Sequence, residues 1–93
     1  MNVGVAFKAG GRQSGVMEVA SVRLQMRIAK VIRRHRESTK LSQEAFADHI
    51  KMHRAQYSFV ERGKRDIRLS TLERVAKGLE KPIWTLLREA EEG

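Results

Sequence analysis

The sequence predicts one compact all-α domain of five short helices that follows a glycine-rich N-terminal arm. Apolar residues recur at intervals of three and four from residue 21 onward, which is the period of an amphipathic helix. The breaks between these stretches are only a few residues long, and the main body of the chain contains no convincing strand pattern. We therefore divide the chain into an arm, residues 1–20, and a helical domain, residues 21–93.

The arm differs from the rest of the chain in composition. It holds four of the seven glycines and has no helical periodicity. Val3, Val5 and Phe7 alternate, so a weak hairpin around Gly10 and Gly11 is one interpretation. A flexible arm is the other, and we favour it because isolated hairpins are marginally stable.

Capping residues mark the helices of the domain. Ser21 is a candidate N-cap for a first helix that ends near Glu37. Ser42 is a second N-cap and begins helix 2, about residues 43–50. A short turn then leads to a helix over about residues 53–62, where Gly63 stops it.

Two further helices complete the prediction. Ser70 and Glu73 have the spacing of a capping box, which would open a fourth helix. Pro82 suits the first turn of a fifth helix, which ends before Gly93.

Composition excludes several classes of function. The 93 residues carry a formal charge of +8, which favours a polyanionic partner, and they contain no cysteine. No stretch approaches the roughly 18 apolar residues of a membrane span, so we expect a cytoplasmic protein. His49 and His53 flank a turn without an evident third ligand, and no nucleophile is placed beside a base. We therefore expect no enzyme activity, no metal and no cofactor.

The helix pair over residues 42–62 is the informative unit. Two short helices joined by so tight a turn must cross steeply, and the outward face of the second can enter a DNA major groove about 12 Å wide. Ser42-Gln43-Glu44, Ala47 and the run Glu61-Arg62-Gly63-Lys64-Arg65 resemble the Cro/repressor-type (Xre-like) helix-turn-helix family. The resemblance implies a λ-repressor-like fold. The stretch from His53 to Ile67 is also similar to the controller proteins of restriction–modification systems.

The chemistry of the side chains, supported by this resemblance, assigns roles within the pair. Arg54 can bind guanine O6 and N7 together, whereas an apolar side chain such as Phe59 can contact a thymine methyl or pack inward. The residues predicted to read bases are Arg54, Ala55, Gln56, Ser58 and Phe59. Those predicted to bind phosphates are Gln43, Lys51, Arg62, Lys64, Arg65 and Arg68.

The resemblance implies a structural ion pair between Arg36 and Glu61. This pair would tie the first helix to the recognition helix, which is the helix over about residues 53–62 that would enter the major groove. The sequence also departs from the family. Lys51 stands where the family has a glycine in a left-handed turn, which costs roughly 1 kcal/mol of strain. His53 is a weaker N-cap than the family's serine or threonine, and Tyr57 replaces an aliphatic core residue and needs a hydrogen-bond partner.

Trp84 on the fifth helix lies beside an apolar stripe that other residues already fill. It is therefore either a core-edge residue or, as we favour, a dimer contact together with Leu87.

Our leading hypothesis is a transcriptional regulator that binds double-stranded DNA sequence-specifically, as a homodimer on a palindromic operator, and blocks or recruits RNA polymerase. The alternative is an antitoxin-like module that neutralises a toxin-like protein and binds DNA secondarily. Nonspecific architectural binding is a third hypothesis.

Overall fold

The computed structural model describes the backbone of residues 10–93 and the side chains of residues 23–93. Its described part consists of five helices, and no strand is found among these residues, which confirms the all-α prediction. The helices are α1 (Gly10–Ser38), α2 (Gln43–His49), α3 (Arg54–Arg62), α4 (Leu69–Gly78) and α5 (Ile83–Glu92).

Helix α1 begins before Ser21, the predicted N-cap. Glycine destabilises a helix interior by about 1 kcal/mol without excluding it, and the chain has no proline before Pro82 that would stop the helix. The predicted arm, residues 1–20, lies outside the residues whose side chains are described, although the backbone from Gly10 onward already belongs to α1. The boundary after residue 20 and the hairpin around Gly10 and Gly11 therefore do not agree with the helix, whereas residues 1–9 lie outside the described residues and the arm over them stays a prediction.

The core lies where the five helices meet, and every helix contributes to it. Its largest completely enclosed side chains are Ile32 of α1, Phe46 of α2, Tyr57 of α3, Leu72 and Val75 of α4, and Leu86 of α5. Phe46 and Tyr57 pack with ring centroids 5.2 Å apart and inclined planes, which is a favourable aromatic geometry. None of the helices described is long and apolar enough to cross a bilayer.

Helix α2 is capped at both ends, and the cap at its C-terminal end forms the tight turn to α3. The Ser42 hydroxyl accepts a hydrogen bond from the Ala45 N–H at 3.0 Å, as its N-cap role predicts. At the other end, the Met52 N–H donates to the Ala47 carbonyl at 2.8 Å, and Lys51 takes the left-handed conformation with φ of 58°. This is a Schellman motif with lysine in the position that glycine favours. His53, predicted to be a weak cap, is the N-cap residue of α3, and its side chain makes no capping hydrogen bond.

Gly63 ends α3 in the left-handed conformation, with φ of 65°. The predicted stop is therefore confirmed. It also lies against α1, because a Cβ atom built on Gly63 would be 3.0 Å from both the Met26 Cα and the Ala29 Cβ. Only glycine satisfies both the backbone angle and this close approach.

The predicted opening of α4 is wrong. The helix begins at Leu69, Arg68 is its N-cap residue, and no side chain caps it, so the box between Ser70 and Glu73 does not form. Because α4 starts before Ser70, that residue already lies inside the first helical turn and its hydroxyl cannot cap the helix. Pro82 is the N-cap residue of α5 and not part of its first turn.

Candidate nucleic-acid interface

Helix α3 turns one face to the core and the other to solvent. Tyr57 is completely buried, and Val60 is half-buried against the core cluster. The residues predicted to read bases lie on the outer part of the helix: Arg54, Ala55, Gln56 and Phe59 are exposed, and Ser58 is half-buried. The helix therefore offers a solvent-facing surface, and a major groove is wide enough to admit an α-helix.

A buried carboxylate anchors α3 to two other helices. Glu61 accepts hydrogen bonds from Arg36 Nε at 2.6 Å and from Arg36 Nη2 at 3.1 Å, a bidentate pair. It also accepts from Gln43 Nε2 at 2.9 Å and from the Tyr57 hydroxyl at 2.5 Å. The third guanidinium nitrogen, Arg36 Nη1, donates to the Leu41 carbonyl at 2.8 Å. The two residues that the resemblance paired are thus in direct contact.

This network is a structural element and not a surface ion pair. The Glu61 side chain is only 2% exposed and that of Arg36 is 10% exposed. Burial alone would raise the pKa of Glu61, but the hydrogen bonds from Arg36, Tyr57 and Gln43 outweigh it, and the pKa lies below its ordinary value. Burial and the bond to Glu61 raise the pKa of Tyr57, and the same carboxylate raises the pKa of Arg36.

Gln43 occupies the first turn of α2, where it was predicted to hold a phosphate. Its amide nitrogen already donates one hydrogen bond to Glu61. A side-chain amide has two N–H donors and one carbonyl acceptor, so a second donor is left for another group. The contact with Glu61 fixes the orientation of this amide, which the sequence could not show.

Four of the residues predicted to bind phosphates form a basic border at the end of α3 and in the loop that follows it. Arg62, Lys64, Arg65 and Arg68 are all exposed, and Lys51 is exposed in the turn before α3. The loop over residues 64–68 is held to α1 by a hydrogen bond from the Gln25 amide to the Asp66 carboxylate. The basic side chains of this loop therefore start from a backbone tied to the body of the domain.

Phe59 is exposed by 37%, and two arginines lie over its ring. The guanidinium carbon of Arg62 is 4.7 Å from the ring centroid and that of Arg65 is 4.4 Å from it. Both distances are within the range of a cation–π interaction. The inward packing considered for Phe59 is not observed.

The structure adds Thr71, Arg74 and Glu44 to the residues predicted for this surface. Gln56 and Arg68 line a small polar cavity together with Ser70, Thr71 and Arg74, at the uncapped start of α4. Glu44 Oε1 lies 4.0 Å from Arg54 Nη1, so the main predicted base-reading residue has an acidic neighbour across the turn. A spacing pattern could have suggested Arg74, four residues after Ser70 on one helix face, but not the Glu44 contact.

The predicted dimer residues lie on α5 with different exposures. Trp84 is 56% exposed, and the guanidinium of Arg88 lies 5.1 Å from its ring centroid. Leu87 is half-buried, packs against the core cluster and lines an apolar groove with Leu24 and Leu69.

Among residues with described side chains, no three histidine or acidic groups are placed to hold a metal ion.

Comparison with known proteins places this geometry in a family. A family model described as "Helix-turn-helix" matches residues 32–83, more than half of the chain, and these residues include α2, α3 and α4. The chain belongs to the helix-turn-helix family. The helix-turn-helix prediction made from residues 42–62 is therefore confirmed.

Individual relatives agree with this assignment. The control protein C.MunI of a Mycoplasma species is 44% identical over 50 residues, which is 54% of this chain and 68% of the relative. The hypothetical transcription factor NHTF from Neisseria has a similar structure, with a TM-score of 0.66 and 31% identity over 72% of this chain and 75% of that one. A mutant of the restriction–modification controller protein C.Esp1396I also gives a TM-score of 0.66, with 27% identity over 75% of this chain and 97% of that one.

Proposed function

We propose that this helix-turn-helix protein is a sequence-specific regulator of transcription that binds double-stranded DNA and is of the restriction–modification controller type. The observation that carries the proposal is the anchoring of α3. A buried network around Glu61 fixes the helix to α1 and α2, while Arg54, Gln56 and Phe59 remain exposed. A rigid helix with a polar outer face and a basic border is the arrangement that reads base edges and holds backbone phosphates.

The roles within the interface divide by chemistry. Arg54, near the N-terminus of α3, would bind a guanine through two parallel hydrogen bonds. Gln43, with one amide donor left beside Glu61, would bind a phosphate, as would Lys51 and the basic residues of the border. The similarity to two controller proteins supports the controller type.

We also propose that the protein acts as a homodimer on a palindromic operator. Trp84 supports this part, because a tryptophan exposed by 56% is a common centre of a protein interface. Two-fold symmetry would place two copies of α3 one helical turn of DNA apart, about 34 Å. A regulator bound in this way would act by excluding or recruiting RNA polymerase.

Selection of binding sites from a pool of random duplex DNA tests the proposal. We expect the selected sites to share an inverted repeat that binds at least a thousandfold more tightly than random duplex at about 150 mM salt. Equal affinity for the selected and random duplexes would refute sequence-specific regulation. Sedimentation of the Trp84→Ala variant tests the dimer separately, since that variant should be monomeric where the natural chain is dimeric.

A further inference from the structure

The ring of Phe59 joins two basic side chains that come from different segments of the chain. Arg62 lies one turn further along α3, whereas Arg65 belongs to the loop that follows Gly63. Their guanidinium carbons are 4.7 and 4.4 Å from the ring centroid. The ring is therefore in contact with the end of α3 and with the start of the basic loop.

Stacking leaves the hydrogen-bond donors of an arginine free. A guanidinium held over a ring by a cation–π contact has not used its N–H groups on a protein oxygen, so a phosphate can accept hydrogen bonds from them. Arg36 shows the opposite case in the same molecule, because Glu61 and the Leu41 carbonyl use its nitrogens. Among residues with described side chains, no protein acceptor hydrogen-bonds Arg62 or Arg65.

We propose that Phe59 is a positioning residue that arranges Arg62 and Arg65 to bind phosphates in advance of DNA, and that it does not read a base. This inference rests on the proposed DNA-binding function and revises the thymine-methyl contact that the sequence suggested for Phe59. Both guanidinium groups compete with a thymine methyl for the ring. Their contact with it also restricts two long side chains before binding, which lowers the cost of ordering them on DNA.

The surroundings of the ring support this role. The loop that carries Arg65 is held at a second point, because the Gln25 amide donates a hydrogen bond to Asp66. The residue after Arg65 is thus hydrogen-bonded to α1, while the Arg65 guanidinium lies against the Phe59 ring. Phosphate contacts set the register of a protein on DNA without carrying sequence information, so a positioning residue for them should affect all sequences alike.

The experiment compares Phe59→Leu, which keeps an apolar side chain without a π face, with Phe59→Tyr, which keeps the ring. Affinities are measured for the selected operator and for random duplex. We expect Phe59→Leu to weaken both by the same factor, about threefold to tenfold, and Phe59→Tyr to bind as the natural chain does. A change of preference at one base pair in Phe59→Leu would overturn the proposal. Thermal unfolding of each variant checks that the fold is intact.

Two further arms separate the alternatives. In an Arg62→Ala/Arg65→Ala background, Phe59→Leu should cause no additional loss of affinity, and an undiminished loss there would overturn the proposal. Operators with deoxyuridine in place of thymidine lack the methyl group. If removing one methyl weakened the natural chain but not Phe59→Leu, Phe59 would be a base reader and the proposal would be wrong.

A measurement on the free protein keeps this inference distinct from the proposed function. The ring should shift the NMR signals of the Arg62 and Arg65 side-chain protons, and Phe59→Leu should abolish both shifts. Unshifted signals in the natural chain would overturn the arrangement itself. If the shifts are present but the natural chain binds no duplex DNA, then the proposed function fails, and the DNA role of Phe59 fails with it.

Discussion

Removing the cation of the buried network should destabilise the domain strongly. In Arg36→Met the Glu61 carboxylate, 2% exposed, would keep only the Tyr57 hydroxyl and the Gln43 amide as partners. Breaking a buried pair in this way costs about 3–5 kcal/mol, because a charge is left without its counter-charge. The free energy of unfolding of a domain of this size is about 5–14 kcal/mol, so the variant should lose a large fraction of its stability.

The exposed pair between Arg33 and Glu37 provides a matched control on the same helix. Its side chains are 63% and 55% exposed, and the nitrogen–oxygen distance is 3.2 Å. Arg33→Met should therefore cost only about 0.3–0.5 kcal/mol. Urea unfolding of both variants, followed by circular dichroism, gives the two free energies. A cost below about 1 kcal/mol for Arg36→Met would refute the reasoning that burial makes this network structural.

The remaining predictions concern acid, a glycine and a carboxylate near the predicted base reader. Because the pKa of Glu61 is lowered in the folded state, its contribution to the free energy of unfolding is complete above the ordinary value of 4.5 and is lost as the pH falls through the lower folded value. Glu61→Gln should therefore flatten the acid side of a plot of urea midpoint against pH. An unchanged slope would contradict this. Gly63→Ala should cost at least about 1 kcal/mol in urea unfolding, because it combines a positive φ with a Cβ at 3.0 Å from α1 backbone; a neutral result would show that the end of α3 moves freely. Glu44→Gln should raise the affinity for random duplex and reduce the preference for the selected guanine, since Arg54 loses its acidic neighbour. Asp48→Asn removes the same charge from α2 without a contact to Arg54, so it should raise both affinities alike, and identical behaviour of the two variants would show that Glu44 does not orient Arg54.

Local chemistry explains which elements could be predicted from the sequence. Ser42 and Gly63 act through their own side chain or backbone, so their roles as cap and stop were evident from residue type and position. The capping box at Ser70 failed because the start of α4 depends on how the preceding loop is held. That loop is tied by Gln25 and Asp66, which are far apart in the sequence, and no spacing rule relates them.

In the candidate site, too, the features set by local sequence could be predicted and those set by distant contacts could not. The outward face of α3 follows from helical period alone, and the exposure of Arg54 agrees with it. The tyrosine hydroxyl was predicted to need a partner, but only the fold shows that this partner is Glu61. The arginines around Phe59 could not be predicted either, because one of them reaches the ring from a loop.

The left-handed residues at the helix ends have a consequence for how this chain can change. Lys40, Lys51 and Glu80 all have φ near +60°, where glycine would be less strained. The left-handed conformation therefore costs roughly 1 kcal/mol of folding free energy at each position, and a single glycine substitution would remove this cost. At Lys51 this gain would remove a cation beside the recognition helix. Selection for tighter folding and selection for DNA affinity would then favour different residues at this one position.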